Sequence, residues 1–568
     1  MNLPEGSRPK RWRLRPEPSQ VAEGPFPPLI GRLLAHRGMR SAAEARAFLE
    51  GEAASVVDPY CLPQMEQAVA RLASACRGGE TVAVFGDFDV DGLAAAALLA
   101  EGLKRLGAQT IAYVPDRFRE GYGLNVPAIG ALGRQGATVL LAADCGTSSL
   151  DEVAFAREQG MDVIIVDHHT VPPELPAAHA LVNPKLSGGG GPGEELASAG
   201  LAYHLLAALH NALGRPFAAD GYLDLVALGT VCDVAPLVGG NRELVRGGLA
   251  ALARAARPGL RALMEVAGVE PARVDTEVLS FALGPRLNAA GRIAHPRLSY
   301  ELLTCEAQEE ARALALRLDE LNQERQRLTR EALALAGQLL EEEREGADAP
   351  LLMLGHADIS SGIVGLVASR LAEAYYRPVV VYERGETNSR ASARSIRGFD
   401  IVGALRGCRE LFLRYGGHPQ AAGFTAENDC LPVIKERLLA HARRELAGVE
   451  LGPSLDIDEE LPLRSLRGEE IGWLGRLRPH GMGNPEPTFV SRGVLVEGSW
   501  PVGEGGEHLR LKLRDGPVLW PAIAFRLGQA APAEGDLLDV VFSFSPDRRG
   551  FGGLELQVKD LAPARAIG

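Results

Sequence analysis

From Thr81 onward the chain alternates short apolar runs with longer amphipathic stretches. TVAVFGD, QTIAYVPD, TVLLAAD and DVIIVDHH are β-branched or apolar runs, each with an aspartate at or near its end. Between them GLAAAALLAEGLKRLG, VPAIGALGRQG and LDEVAFAREQG have the spacing of helices. The last opens on a capping-box signature, Ser149 with Glu152 three residues on. Such alternation predicts an α/β fold with a mostly parallel sheet and helices on both faces. The SGGGGPG stretch after Pro184 is expected to be a surface loop.

A helical block follows over 200–265, then the GPRLNAAGRIAHPR segment. Residues 307 to 345 carry one long helical pattern, with Leu314, Leu318, Leu321, Leu328, Leu335 and Leu339 on one stripe and no glycine or proline before Gly337. A helix of that length predicts a connector between domains; a coiled-coil dimer seam competes. A second α/β unit runs from Ala349 to about Ala447. Beyond it FVSRGVLVEGSW, EHLRLKLRD, PVLWPAIAF, LLDVVFSFS and GGLELQVKDL are strand-like, and a handful of short strands suits an OB-like β-barrel better than a sandwich. The N-terminal residues Arg8, Lys10, Arg11, Arg13 and Arg15 predict a solvated basic tail ahead of short helices. The expected division is a tail and helical region at 1–55, a first α/β domain at 56–306, the connecting helix at 307–346, a smaller α/β domain at 347–448 and the barrel at 449–568.

With 568 residues, several cores are the natural outcome. No run of about 18 apolar residues predicts a membrane span, and the basic N-terminus lacks the apolar stretch of a secretory signal. Seven cysteines, scattered and never spaced as CxxC, argue against a disulfide framework or a zinc ribbon, so a cytoplasmic setting is expected. A net charge of −13 disfavours indiscriminate phosphate binding. It leaves room for basic groups gathered in one groove.

The sharpest chemical feature is GDFDVDG, with Asp87, Asp89 and Asp91 directly after an apolar strand. Asp144 ends another strand, and Asp167-His168-His169 ends a third. In an open parallel sheet the carboxyl ends of the strands share one edge, so these groups should converge. Two carboxylates about 5 Å apart repel by roughly 3 kcal/mol at an effective dielectric near 20. Such a group requires cations or protons. Oxygen ligands with one or two imidazoles suit Mn²⁺ or Mg²⁺, and a pair of such ions suits phosphoryl chemistry. A lone aspartate after a strand is ordinarily a helix cap. Its recurrence at successive strand ends points to metal.

GDFDVDG, Asp144 in AADCG, Asp167-His168-His169 and Asp233 in ALGTVCDVAPL resemble the four ordered motifs of the DHH phosphoesterases. With EGYGLN, GPRLNAAGR, SARS, GGHPQAAGF and GNPEP in that order, the chain is similar to the RecJ branch over roughly residues 80 to 490. The resemblance implies Asp87, Asp89, Asp91, Asp144, His168 and Asp233 as ligands of two divalent ions, with Asp144 bridging. It implies His169 at the scissile phosphate or leaving group and Asp167 orienting a neighbour. Phe85 stands where many members of the superfamily have a histidine, and Asp87 is expected to replace it. The second α/β unit resembles the DHHA1 module, implying that Ser392, Arg394, Gly417 and His418, with Arg117, Arg286 and Arg292, hold the 5′-terminal phosphate. In the barrel, Trp500, Trp520 and Phe525 are candidates for stacking bases, and GNPEP is expected to shape an inter-domain turn.

The implied activity is hydrolysis of single-stranded DNA from its 5′ end to mononucleotides, in repair and recombination. A monomer working with a helicase and a single-strand-binding protein is expected. A short-oligonucleotide or cyclic-dinucleotide phosphodiesterase would lack the barrel, and a non-catalytic replication relative would have eroded ligands. GHADISSGIVGLVAS lacks an expected tryptophan, His480 replaces a commoner phenylalanine, and the chain ends soon after the barrel, without the extra domain of some relatives.

Overall fold

The computed structural model describes residues 10–51, 57–188, 190–191, 193–342, 346–466, 468–503, 505–546 and 554–564. Its first sheet has five parallel strands in the order Gln109–Tyr113, Thr81–Gly86, Val139–Ala143, Asp162–Val166 and Ala180–Val182. Period-two alternation divides these apolar runs between two cores. Val82, Val84, Leu141, Ile164 and Val166 pack under the helices Met65–Gly78, Val90–Leu106 and Ser198–Ala212. Ala83, Phe85, Leu140, Ala142 and Ile165 pack under Val126–Arg134 and Leu150–Glu158. Each fully buried valine, leucine or isoleucine side chain contributes about 1.5–3 kcal/mol, so the sheet forms as one block.

Register then positions the chemistry. Gly86 lies opposite Ala143, Ala143 opposite Val166, and Val166 opposite Val182. The next residue of each strand, Asp87, Asp144, Asp167 and Asn183, therefore falls in a single row. The backbone bonds Asp87 N–H to Ala143 O, Asp144 N–H to Val166 O and Asp167 N–H to Val182 O carry the ladder into that row.

The connector is the helix Gln308–Glu342. Its first half buries Ala311, Ala315, Leu318 and Leu321 against the catalytic domain. Its second half buries Ala332, Ala336 and Leu340 against the second unit. The leucine stripe follows the same division, with Leu314, Leu318 and Leu321 on the first core and Leu328, Leu335 and Leu339 against the second. In the second unit the strand order is Arg414–His418, Ala421–Glu427, Asn388–Arg394, Val379–Arg384 and Leu352–His356. Ser392 and Arg394 thus lie on a strand. Small residues alternate along it (Ser389, Ala391 and Ala393 inward), a pattern too weakly apolar to read as a strand.

The C-terminal barrel closes when Phe489–Val502 pairs with Leu537–Pro546. Leu29, Ile30, Leu33 and Leu34 of the helix Pro28–His36 share its core with Phe489 and Phe542. The basic N-terminus is not a solvated tail from Lys10 onward. Arg11–Leu14 pairs in parallel with Ser454–Ile457, and Trp12 donates its indole N–H to Asp560 at 2.7 Å. Arg8 lies outside the described residues. The Ser149 capping box does not form, because Ser149 N–H closes a turn onto Gly146 O and its hydroxyl makes no cap bond. One does form at Ser41 and Glu44. Among the described residues no helix is long and apolar enough to cross a membrane.

Candidate metal centre

Each member of the row is held differently, and the differences set its chemistry. Asp91 accepts backbone N–H bonds from Ser198 at 2.7 Å and Ala199 at 3.0 Å, at the start of the helix Ser198–Ala212. Ser198 Oγ donates to Asp144 Oδ1 at 2.9 Å. Asp144 takes a left-handed φ of 65°, which aspartate tolerates better than most residues and which marks a functional position. Asp89 caps the helix Val90–Leu106 through Oδ1, accepting from Asp91 and Gly92 N–H. The cap reading and the ligand reading are therefore compatible, since Oδ2 stays free for a cation. Asp87 Oδ1 and His168 Nε2 are buried without a hydrogen-bond partner.

Three clusters result, each with its ligand atoms within 4.8 Å of one another: Asp87, Asp89 and Asp144; Asp91, His168 and Asp233; and Asp144, His168 and His169. Asp144 and His168 each belong to two of them. His168 Nε2 lies 3.4 Å from Asp144 Oδ1 and 3.6 Å from Asp233 Oδ2. Burial, then repulsion among the carboxylates, pushes Asp87, Asp91 and Asp144 well above the ordinary carboxylate range. Burial and then Asp89 push Asp233 up to about 7. Burial, reinforced by His169, takes His168 down to about 3, leaving a neutral imidazole with a lone pair to offer. Oxygen donors short of positive charge, beside a neutral nitrogen donor, fit one or two hard divalent cations.

Asp167 is the exception. Burial would raise it, yet hydrogen bonds from His169 and Thr147 hold its carboxyl below the ordinary range. Burial also opposes the His169 imidazolium, but the 2.7 Å contact with Asp167 Oδ1 outweighs it and the net shift is upward. Asp167 thus orients and charges His169. Asn183, at the end of the three-residue strand, donates to His169 O at 2.9 Å and to Thr147 Oγ1 at 3.2 Å. Lys185 Nζ donates to His168 O. Tyr122 donates to Asp144 O at 3.2 Å. Phe85 lies in the sheet core against Tyr113, away from this edge.

Guanidinium groups gather beside the acid set. Burial and then the fields of Arg117, Arg325 and Arg394 take Arg292 down to about 9. Arg394 is oriented by Ser369 Oγ at 3.1 Å and Ser392 Oγ at 2.9 Å. Arg117 lies over the Phe88 ring at 5.1 Å. Like charges held together in this way favour a multiply charged anion. Arg286 differs: it is paired with Asp319 at 2.8 Å. Gly417 has φ 142°, and a Cβ there would meet Ala422 Cα at 2.4 Å. His418, next to it, is near enough to bear on His168.

Sequence reasoning missed Arg325, one arginine in a helix dense with charges, and Asn183 and Lys185, whose strand is too short to register. In the barrel, Trp500 is 46% exposed with Lys512 Nζ 5.7 Å above its ring, and Phe525 is 39% exposed beside His508. Trp520 is partly buried against the barrel core, 5.8 Å from Phe544.

A parallel sheet whose carboxyl edge carries this acid and imidazole set, faced by a second α/β unit, defines a phosphoesterase of the DHH class. The sequence profile of the DHH family, N-terminal domain, matches residues 81–230, that of the DHHA1 domain 348–447, and that of the RecJ OB domain 457–560. The chain belongs to the RecJ family of single-stranded-DNA-specific exonucleases. It is 36% identical to RecJ of Escherichia coli, covering 95% of this chain and 96% of that one. Against RecJ of Bacillus subtilis it is 34% identical, covering 91% of this chain and 66% of the relative. The crystal structure of RecJ in complex with Mn²⁺ from Thermus thermophilus superposes with a TM-score of 0.83 at 31% identity, covering 98% of this chain and 80% of that chain.

Proposed function

We propose that this chain hydrolyses single-stranded DNA from the 5′ end, releasing 5′-mononucleotides in DNA repair and recombination, with two Mn²⁺ or Mg²⁺ ions. The observation that carries the reading is an acid and imidazole set beside an arginine cluster. Asp87, Asp89, Asp91, Asp144, His168 and Asp233 supply the first, and Arg117, Arg292, Arg325 and Arg394 gather near enough to one another to supply the second. Asp144, which belongs to two clusters, is the ligand two ions would share, and His168 would hold one of them.

Bound divalent ions would supply Lewis acidity and charge neutralisation at the scissile phosphate. The protein's own groups do the rest. Arg117, Ser392, Arg394 and the Gly417 backbone hold the terminal phosphate one nucleotide away from the metal row, which fixes direction, with Arg292 behind them. The imidazolium of His169, charged and aimed by Asp167, donates its proton to the departing 3′-oxygen. Asn183 keeps the His169 loop in register. Trp500 and Phe525 offer stacking surfaces to the following bases. The same reading has a cytoplasmic monomer acting on strands that a helicase opens and a single-strand-binding protein covers.

The test is digestion of 5′- and 3′-labelled single and duplex strands with Mn²⁺ or EDTA. Mononucleotide release from the 5′ end of single strands, abolished by EDTA, is expected. Preference for a dinucleotide over a 30-mer would point instead to a short-oligonucleotide phosphodiesterase. Metal-independent binding without cleavage would point to a non-catalytic relative.

A further inference from the structure

Asp233 is the proposed ligand carried by neither the sheet edge nor the start of the helix Val90–Leu106. It follows the helix Leu223–Cys232, and among the described residues no hydrogen-bond donor reaches its carboxylate; its nearest partner is His168 Nε2 at 3.6 Å. By contrast Asp89, Asp91, Asp144 and Asp167 each accept at least one hydrogen bond. The position of Asp233 therefore depends on the backbone around it. The next residue, Val234, takes φ 60°, a conformation β-branched side chains resist. Within the catalytic domain, Asp233 and Ala235 N–H bond back to Gly229 O and Thr230 O, and Asn241 Nδ2 donates to Pro236 O at 3.0 Å.

A second restraint on this segment comes from the barrel domain and acts at Leu237. Leu237 donates its N–H to Met482 O at 2.7 Å, in the Gly481–Asn484 turn of the GMGNPEP segment. Thr276 Oγ1 donates to His480 O at 2.7 Å, fixing the same turn to the catalytic domain. Asn484 is buried. Its amide donates to Leu477 O and Pro479 O at 2.8 Å each, and its Oδ1 accepts from Arg37 Nε at 2.8 Å. The packing is close enough that a Cβ on Gly481 would lie 2.7 Å from Leu237 Cδ1, and one on Gly483 would lie 3.2 Å from Pro236 Cβ.

We infer that the Gly481–Asn484 turn is a positioning element for the metal centre, setting the place of Asp233 through the Val234–Leu237 segment. The inference rests on Asp233 being a metal ligand, as proposed above. It gives the GNPEP motif a task at the catalytic site: the barrel must be docked for the last ligand to be in place.

The measurement is Mn²⁺ binding to the full-length protein without DNA, followed by the paramagnetic resonance of free Mn²⁺. Gly481→Ala, which pushes Leu237, should weaken binding about tenfold, the effect usual for groups that orient a ligand. Gly481→Ala with Leu237→Val, which returns the volume, should recover most of that loss. Asp233→Asn tests the underlying reading, because native Mn²⁺ affinity there would remove Asp233 from the ligand set. Loss in Asp233→Asn with native affinity in Gly481→Ala would overturn the positioning role alone. Hydrogen exchange on the unaltered protein gives a second readout that no folding defect can obscure. By linkage, Mn²⁺ should slow exchange in 234–238 and in 477–486 together. Protection that stops short of 477–486 would also overturn it.

Discussion

Asp144→Asn should make the metal-free protein more stable and the Mn²⁺-loaded protein less stable than the native chain. Asp144 is buried, and its carboxylate oxygen lies within 4.8 Å of those of Asp87 and Asp89. At an effective dielectric near 20, each ionised pair at that separation costs about 3 kcal/mol, so two pairs cost about 6 kcal/mol. Proton uptake relieves part of this, since these carboxyls are held above the ordinary range. About 2 kcal/mol is left for the substitution to recover. The asparagine oxygen can still accept from Ser198 Oγ, so little is lost in return. For a domain of about 200 residues, 2 kcal/mol raises the melting temperature by about 4–8 °C. In Mn²⁺ at a hundred times its Kd the native protein gains about 2.7 kcal/mol, whereas a variant lacking the shared ligand gains almost none. Thermal melts of both proteins in EDTA and in Mn²⁺, beside a single-strand digestion assay, read out the crossing and the loss of turnover. A variant that melts below the native chain in EDTA and is still stabilised equally by Mn²⁺ would show that these carboxylates do not crowd one another.

The metal row contributes a pH dependence of definite sign. Asp87, Asp91, Asp144 and Asp233 titrate above their unfolded values, Asp233 at about 7, so these carboxyls keep more protons in the folded state and their contribution to stability falls as pH rises from about 4 to 7. His168, His204 and His480, which burial holds neutral, contribute with the opposite sign. Saturating Mn²⁺ should remove the carboxyl part, so the melting temperature should rise more steeply with pH in Mn²⁺ than in EDTA; parallel curves would contradict the assignment. Arg394→Ala should slow 5′-phosphorylated strands much more than 5′-hydroxyl strands, and equal losses on both would remove it from the terminal-phosphate site. Asn183→Ala, which frees the His169 loop, should lower kcat by about 10- to 100-fold with a smaller change in KM. A change confined to KM would mean that Asn183 contacts the substrate instead.

Much of the site was legible because the residues that bear it end strongly apolar strands. Asp87, Asp144 and Asp167 could be read from TVAVFGD, TVLLAAD and DVIIVDHH alone, since a parallel sheet has only one carboxyl edge. Where the local pattern is weak, the reading failed. The Asn388–Arg394 strand is built from serine, alanine and arginine, and the strand before Asn183 has three residues. Ser149 has the residues of a capping box, but the preceding turn points its hydroxyl elsewhere.

Sequence by itself determined the strongly patterned secondary elements, the chemistry of the ligands and their order, because apolar period and residue type are local properties. Tertiary structure decided which groups became partners. It paired Arg286 with Asp319 and added Arg325 to the arginine cluster, turned Trp520 toward the core, and folded the basic N-terminus onto the barrel. It also made Asp167 an orienting anion while leaving Asp144 short of positive charge. The reason is that desolvation and hydrogen bonding depend on what surrounds a group in space, and chain order does not specify those surroundings.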